Sequence, residues 1–207
     1  MTGIEKRTGI RATLTVFLVI LLFLSCGDDN EDKTEIAPVV SLTEDGWDRY
    51  AAGDLTGARE KFEDAIAADG GVGLGYNGLG WVQKQRGEFD EALASFDLAM
   101  AKGFPGADPA AGRALILYSR NEYGQAIAAG HDALARDTFF KLPGDVTVNI
   151  LDVRLVIALS EYERGRFEDA LAQLRLIDPG LAPINPFSET FVEELTIALD
   201  QLANNLL

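Results

Sequence analysis

Three glycines between residues 69 and 81 raise the first question of chemistry. The stretch DGGVGLGYNGLGW holds Gly73, Gly75 and Gly78 in the spacing G-x-G-x-x-G, which cradles a pyrophosphate in dinucleotide-binding enzymes. Asp97 also stands near the offset at which such enzymes contact a ribose. The pattern works only when a buried strand leads into the glycines and a helix leaves them. The preceding residues, EKFEDAIAA, have helical periodicity instead, so we predict that these glycines serve helix packing and turns.

Other residue types that perform chemistry are too sparse to form a reaction centre. His131 is the sole histidine and Cys26 the sole cysteine, which leaves no His/Cys set for a metal. Carboxylates are abundant, but abundant acids on helix faces are typical of solvated surfaces, and a Ser-His-Asp arrangement requires arbitrary partners. We predict a protein that is not an enzyme and that binds neither metal nor cofactor. The formal charge of −15, from 18 Lys and Arg against 33 Asp and Glu, disfavours nucleic acid as a partner.

The first 25 residues have the features of a signal peptide. Lys6, Arg7 and Arg11 precede an uncharged run of fourteen residues, ATLTVFLVILLFLS. As a helix this run is about 21 Å long, shorter than the about 30 Å hydrocarbon core of a bilayer. We therefore predict a signal peptide over residues 1–25 rather than a permanent membrane span.

Cys26 stands directly after the small residue Ser25 at the end of this run, in the sequence FLSCG. This resembles the lipobox of bacterial lipoproteins, which implies a diacylglycerol on the cysteine thiol and cleavage just before it. A few acyl chains hold a protein on a membrane without a transmembrane helix. The alternative is a signal peptide that ends near an ordinary cysteine.

The residues after Cys26, DDNEDKTE, are too charged to pack, so a disordered acidic tether is predicted over residues 26–38. An acidic stretch at this place resembles the surface-export signal of Bacteroidetes-type lipoproteins. Gly27 stands where an aspartate favours inner-membrane retention in enteric bacteria. The resemblance implies a protein lipid-anchored in the outer membrane, on the periplasmic side or at the cell surface.

A repeated pattern covers most of the remaining chain. Segments that begin at Gly53, Gly87 and Asn121 are 34 residues apart, and a fourth begins at Gly165, 44 residues later. One aligned column holds alanine in every copy: Ala58, Ala92, Ala126 and Ala170. A second column, seven residues before the turn, holds small residues: Gly46, Gly80, Ala114 and Ala158. Apolar residues recur at three and four, so each copy is predicted to be two closely packed helices joined by a turn.

This period, with its small and aromatic positions, resembles the tetratricopeptide repeat over about residues 39–178. The resemblance implies an all-α fold, a right-handed superhelix of about four helix-turn-helix units, with residues 187–205 as a capping helix. The predicted repeat domain with its cap covers residues 39–207. Three departures weaken the third repeat: Gly130 in place of an aromatic residue, Asn121 in place of glycine, and a ten-residue insertion around FFKLPGDVTV.

In this family the first helix of each unit faces a concave groove. Trp47 and Trp81 occupy equivalent positions there, and tyrosines and a lysine follow three residues later. Trp and Tyr dominate binding energy at protein interfaces, although both tryptophans have the alternative of packing against a neighbouring first helix. The predicted partner-binding residues are Trp47, Tyr50, Asn77, Trp81, Lys84, Tyr118 and Tyr162.

These features together predict a lipid-anchored scaffold that binds a protein or peptide partner in the cell envelope. The alternative is a lipoprotein that captures a glycan or a peptide, with the tryptophans and tyrosines as stacking platforms. The sequence leaves open the partner, the membrane face and the oligomeric state.

Overall fold

The computed structural model describes residues 31–206, a part of the chain that contains nine helices and two short strands. In chain order these are α1 (Glu31–Ala51), α2 (Leu55–Ala68), α3 (Gly73–Gln85), α4 (Phe89–Ala101), α5 (Asp108–Ser119), α6 (Tyr123–Arg136), β1 (Lys141–Leu142), β2 (Asp145–Asn149), α7 (Ile150–Glu163), α8 (Phe167–Ile177) and α9 (Phe191–Leu206). The predicted signal peptide, Cys26 and the start of the tether lie outside the described residues.

The helices form a stack of four helix-turn-helix units. The pairs are α1 with α2, which meet through Trp47 and Phe62, α3 with α4, α5 with α6, and α7 with α8. Each second helix also packs on the next first helix. The first helices α3, α5 and α7 contact one another along the stack. The predicted all-α repeat superhelix is therefore confirmed.

The turns inside the four units have the backbone that the sequence predicts. Gly53, Gly87 and Gly165 have φ angles of 79°, 78° and 73°, in the left-handed region. Asn121 fills the equivalent place with φ 61°, and it is the residue type best tolerated there after glycine. In each unit, a residue with left-handed backbone conformation lies in the turn between the first helix and the second.

The glycines and alanines of the repeat make room for aromatic rings from neighbouring helices. Phe62 on α2 is fully buried, and a Cβ atom added to Gly46 would lie 2.6 Å from its ring. A Cβ atom at Gly78 would overlap the same ring. A Cβ at Gly73 would lie 2.5 Å from the Ala99 carbonyl oxygen. The G-x-G-x-x-G stretch is thus the tightly packed start of a helix, as predicted.

The N-terminal boundary differs from the prediction. Helix α1 already begins at Glu31 and continues through Pro38, where a disordered tether was expected as far as residue 38. The compact unit spans Ile36–Leu207, and Val39 is its first fully buried side chain. Pro38 removes one backbone hydrogen bond, but it lies next to the buried Val39, and the helix continues across it.

The insertion between the third and fourth units forms a β-hairpin, which the sequence analysis did not predict. Strands β1 and β2 are antiparallel, and the pairs are Lys141 with Asn149 and Leu142 with Asp145. The register shifts between these two pairs, so the strand pairing is irregular.

The C-terminal end of the stack carries the predicted cap. Helix α9 buries Phe191, Leu195 and Leu199 against the last unit. None of the helices in residues 31–206 combines the length and the apolar composition that crossing a membrane requires.

Candidate functional site

The seven predicted partner-binding residues lie on the first helices α1, α3, α5 and α7, whose shared surface we call the groove face. Three of them are buried: Tyr50, Asn77 and Trp81 are 8%, 2% and 0% exposed. The other four are half-buried: Trp47, Lys84, Tyr118 and Tyr162. The open aromatic surface expected from the sequence is therefore largely covered, and Trp81 in particular presents no exposed face.

The hairpin of residues 140–149 covers part of the groove face. A Cβ atom at Gly144, in its turn, would lie 2.7 Å from Tyr50 Cδ1 and 2.8 Å from Trp47 Cε3. Phe140 and Leu142 are 2% and 1% exposed and belong to the same buried cluster as Tyr50 and Trp81. A segment that follows the third unit thus reaches back to the first helix of the first unit.

Trp81 packs against the second helix of its own unit, α4. Its ring lies 5.6 Å from the Phe96 ring at an interplanar angle of 70°, an edge-to-face contact. This contact is with the second helix of the same unit, whereas the alternative left open by the sequence was packing against a neighbouring first helix. Trp47 has the same environment in the first unit, because its ring lies 5.2 Å from Phe62.

Lys84 is the cation of the covered region. Its Nζ lies 5.4 Å from the centroid of the Trp81 ring, within the range of a cation–π contact. Burial lowers the pKa of Lys84, while the negative charges of Asp145 on the hairpin and Asp152 on α7 raise it. The hairpin therefore brings an opposite charge to a partly desolvated lysine.

Tyr50 is affected by the same hairpin carboxylate. Burial, and then the charge of Asp145, raise the pKa of Tyr50 to about 12. The phenol remains protonated and a hydrogen-bond donor at physiological pH. A cavity of about 410 Å³ opens beside it, lined by Tyr50, Gly53, Leu55, Gln85, Gly144 and Asp145.

Two buried polar atoms on α3 have no hydrogen-bond partner among the described residues. They are Asn77 Oδ1 and Trp81 Nε1, which are one helical turn apart and so lie on one face. A buried polar group without a partner costs about 1–3 kcal/mol. The covered groove face is therefore incompletely satisfied.

Asp108, at the start of α5, lies close to Asn77. Burial raises the pKa of Asp108 to about 6, although a hydrogen bond from Asn77 lowers it in part. The residue as a whole is 9% exposed. Its charged form is thus disfavoured in the folded chain.

Tyr118 and Tyr162 belong to the other half of the groove face. The Tyr118 ring lies 6.0 Å from that of Tyr123, and burial raises the pKa of Tyr118. The Tyr162 hydroxyl is 2.7 Å from Thr196 Oγ1 on the capping helix. Tyr162 therefore connects the fourth unit to its cap.

The backbone of the hairpin is tied down by its own side chains. Asp145 Oδ1 accepts hydrogen bonds from the Thr147 backbone N–H at 3.0 Å and from its hydroxyl at 2.6 Å. Asn149 and Asp152 form a capping box: the Asn149 side chain accepts from Leu151 N, and the Asp152 carboxylate accepts from Asn149 N. The same residue thus closes β2 and begins α7.

Metal-ligating side chains are dispersed in the described part of the chain. His131 is exposed on α6. Within residues 31–206, no three His, Cys, Asp or Glu side chains come together in an arrangement that could hold a metal ion.

The sequence analysis missed the hairpin residues that matter most: Phe140, Leu142, Gly144 and Asp145. A signal was present, because LPGD contains a Pro-Gly turn dipeptide and VTV is rich in β-branched residues. Neither signal reports that this hairpin packs on the groove face, since that contact joins segments about a hundred residues apart in the chain.

No family model and no curated protein matches the chain. Solved structures are similar in fold. YrrB, a TPR protein with an unusual peptide-binding site, has 16% identity and a TM-score of 0.54 over 75% of this chain and 73% of its own. MamA has 17% identity and a TM-score of 0.54 over 83% and 84%. A tetratricopeptide repeat protein from Parabacteroides merdae has 16% identity and a TM-score of 0.56 over 82% and 61%. These similarities show a tetratricopeptide-like fold.

Proposed function

We propose that this chain is a non-enzymatic scaffold, lipid-anchored in the outer membrane of a bacterial envelope, that binds a protein or peptide partner on its groove face. One observation carries the binding role: the groove face already holds a polypeptide segment, the hairpin at Gly144, against Trp47 and Tyr50. The similarity to YrrB, described as having a peptide-binding site, supports the same role. The lipobox-like sequence FLSCG supports the anchor.

The alternative, capture of a glycan, is less well supported. Stacking on a sugar requires an open aromatic face, and Trp81 is 0% exposed. Trp47 is half-buried and packs on Phe62 and Tyr50. A segment of polypeptide fits this surface better, because the chain places one there itself.

The binding role is tested with two lysine variants of the full chain, each captured from crosslinked cells by a C-terminal tag. Lys84→Gln removes the positive charge from the groove face, and Lys102→Gln does the same at an exposed site at the end of α4. We expect Lys84→Gln to lose at least three quarters of a crosslinked partner that wild type and Lys102→Gln retain. Identical partner profiles for all three proteins contradict a role for the groove face.

The anchor is tested by labelling cells with a fatty-acid analogue and separating their membranes. Cys26→Ser removes the thiol, whereas Ser25→Ala keeps a small residue before the cysteine. We expect Cys26→Ser to lose the label and Ser25→Ala to keep it in the outer-membrane fraction. Equal labelling of both variants rules out lipidation at Cys26.

A further inference from the structure

The hairpin is self-contained, and this allows it to leave the groove face as a unit. Among residues 31–206 its strands pair only with each other, and Asp145 and Asp152 accept the N–H groups of Thr147 and Asn149. The Ile150 N–H, donated to the Phe140 carbonyl at 3.0 Å, closes its base. These hydrogen bonds lie within residues 140–152, so moving the hairpin away does not require breaking them.

The hairpin fits the groove face incompletely. Trp81 Nε1 and Asn77 Oδ1, on one face of α3, are buried and have no partner in the described part of the chain. Lys84 is partly desolvated, and no carboxylate of the described residues lies within 4.0 Å of its Nζ. A bound segment can make these missing interactions if its backbone offers a carbonyl and an N–H to α3 and its carboxylate reaches Lys84. Such a segment forms more polar interactions with the groove face than the hairpin does.

We propose that the hairpin of residues 140–149 is a built-in competitor for the partner site on the groove face. The partner binds there through an extended segment that resembles the hairpin in its apolar and acidic residues. That segment carries two apolar residues two positions apart, as Phe140 and Leu142 are, followed within a few residues by a carboxylate in the place of Asp145. The inference rests on the proposed function and specifies the partner of the same surface.

The competition has a thermodynamic consequence. A partner binds only to molecules whose hairpin is released, so its apparent dissociation constant is the intrinsic value divided by the released fraction. A tethered competitor acts at an effective concentration of about a millimolar. Any change that weakens docking of the hairpin therefore strengthens binding of the partner.

Gly144 offers a precise way to weaken docking. The Cβ of Gly144→Ala would lie 2.7 Å from Tyr50 Cδ1, 2.8 Å from Trp47 Cε3 and 3.3 Å from the Trp47 carbonyl oxygen, so the contact between the turn and the two rings must loosen. Gly70→Ala is the matched control, because its Cβ meets no atom closer than 3.4 Å. Asp145→Asn is a second variant: it removes the charge opposite Lys84 and keeps an acceptor for Thr147.

The probe is an acetylated, fluorescent peptide with the chain's own sequence FFKLPGDVTVN, titrated with detergent-solubilised full-length protein and followed by anisotropy. We expect Gly144→Ala to bind it about tenfold more tightly than wild type and Gly70→Ala do, and Asp145→Asn to bind it about threefold more tightly. A peptide with serine in place of Phe140 and Leu142 serves as the negative control and should not bind.

Hydrogen exchange on the same proteins shows whether the hairpin is released. In Gly144→Ala, the amides of residues 141–150 should exchange at least tenfold faster, and those of α3 and α4 should keep their wild-type rates. If α3 and α4 also lose protection, the variant has unfolded, and Asp145→Asn then decides the question.

Three results overturn the proposal: equal peptide affinity in Gly144→Ala and wild type, no binding by any variant with a released hairpin, or a dimer of Gly144→Ala that exchanges hairpins between copies. Light scattering detects the dimer. Each of these leaves the proposed function standing if Lys84→Gln still loses its crosslinked partner. If Lys84→Gln keeps its partner while the peptide result is positive, the groove face accepts the hairpin sequence but is not where the scaffold works.

Discussion

Two connections between units of this stack differ in length and in the surfaces that they contact. Units one and two are joined by a short loop, Asp69–Val72, and the helices on either side fit closely through Phe62 and Gly78. Units three and four are joined by residues 137–149, which form a hairpin and reach the first helix of unit one. The first connection serves only packing, whereas the second also covers a surface.

The contrast shows that a repeat array separates two tasks. The columns of small residues fix how each helix pair contacts the next, and they leave the loops between units free to vary. An insertion in such a loop lengthens the chain without disturbing the stack, and here it supplies an occupant for the groove face. Packing between units and coverage of the groove face thus reside in different residues.

The largest expected effect comes from a substitution that disrupts the packing between units one and two. Gly78→Ala places a Cβ in overlap with Cδ1, Cε1 and Cζ of the Phe62 ring. The ring has little room to move, because the side chain is fully buried and the same three atoms lie close to Gly46. We expect a loss of about 2–3 kcal/mol in the free energy of unfolding, measured with urea. Gly70→Ala, in the loop itself, should change it by less than about 0.5 kcal/mol. Equal effects at the two sites would mean that ring packing does not fix this connection.

The next effect concerns the buried side chain of Asp108, close to Asn77, and depends on pH. The pKa of Asp108 in the folded chain, about 6, lies above its ordinary 3.8, so the folded chain holds this proton more tightly than the unfolded chain. This stabilisation is fully present below about pH 4 and is lost as the pH rises through about 6. Asp108→Asn should therefore be more stable than wild type at pH 8 by about 2–3 kcal/mol, and this difference should fall below about 1 kcal/mol at pH 4.

Urea unfolding at both pH values measures the difference between Asp108→Asn and wild type. Asp169→Asn, on an exposed carboxylate of α8, is the control and should follow the wild-type profile. If Asp108→Asn has the same pH profile as wild type, Asp108 is not the buried acid that the structure indicates.

A smaller effect sharpens the description of the inserted connection. Asn149→Ala removes the capping box at the point where β2 ends and α7 begins. We expect a loss of about 1 kcal/mol, with faster hydrogen exchange in the first turn of α7 and at the base of the hairpin. Asn204→Ala, on the exposed side of α9, provides the comparison and should be nearly neutral. No difference between the two variants would show that the cap is not what joins hairpin and helix.

The smallest effect tests the turns that all units share. Asn121 holds φ 61°, which glycine adopts at less cost, but its side chain also accepts a hydrogen bond from the Tyr123 hydroxyl at 2.8 Å. Asn121→Gly should gain about 0.5 kcal/mol by thermal unfolding. The reverse change in unit two, Gly87→Asn, should lose about as much. A loss in both variants would mean that the Tyr123 contact outweighs the backbone.

Most of the fold follows from local features of the sequence. The recurrence of Gly53, Gly87, Asn121 and Gly165 locates the turns, and the period of three and four locates the helices, because both depend on residues close together in the chain. The identity of the groove registers also follows, since equivalent positions in a repeat occupy equivalent places.

The solvent exposure of those positions does not follow from local features of the sequence. Trp81 is buried because Phe96 packs beneath it and because the region that contains Phe140 and Leu142 joins the same cluster. That last contact depends on how far three stacked units bring residue 144 back toward residue 47, a distance that no local pattern encodes. The sequence by itself determined the helices, the turns and the register of the groove residues. Only the tertiary structure decided that a hairpin packs on Trp47 and Tyr50, because burial is a property of the assembled chain.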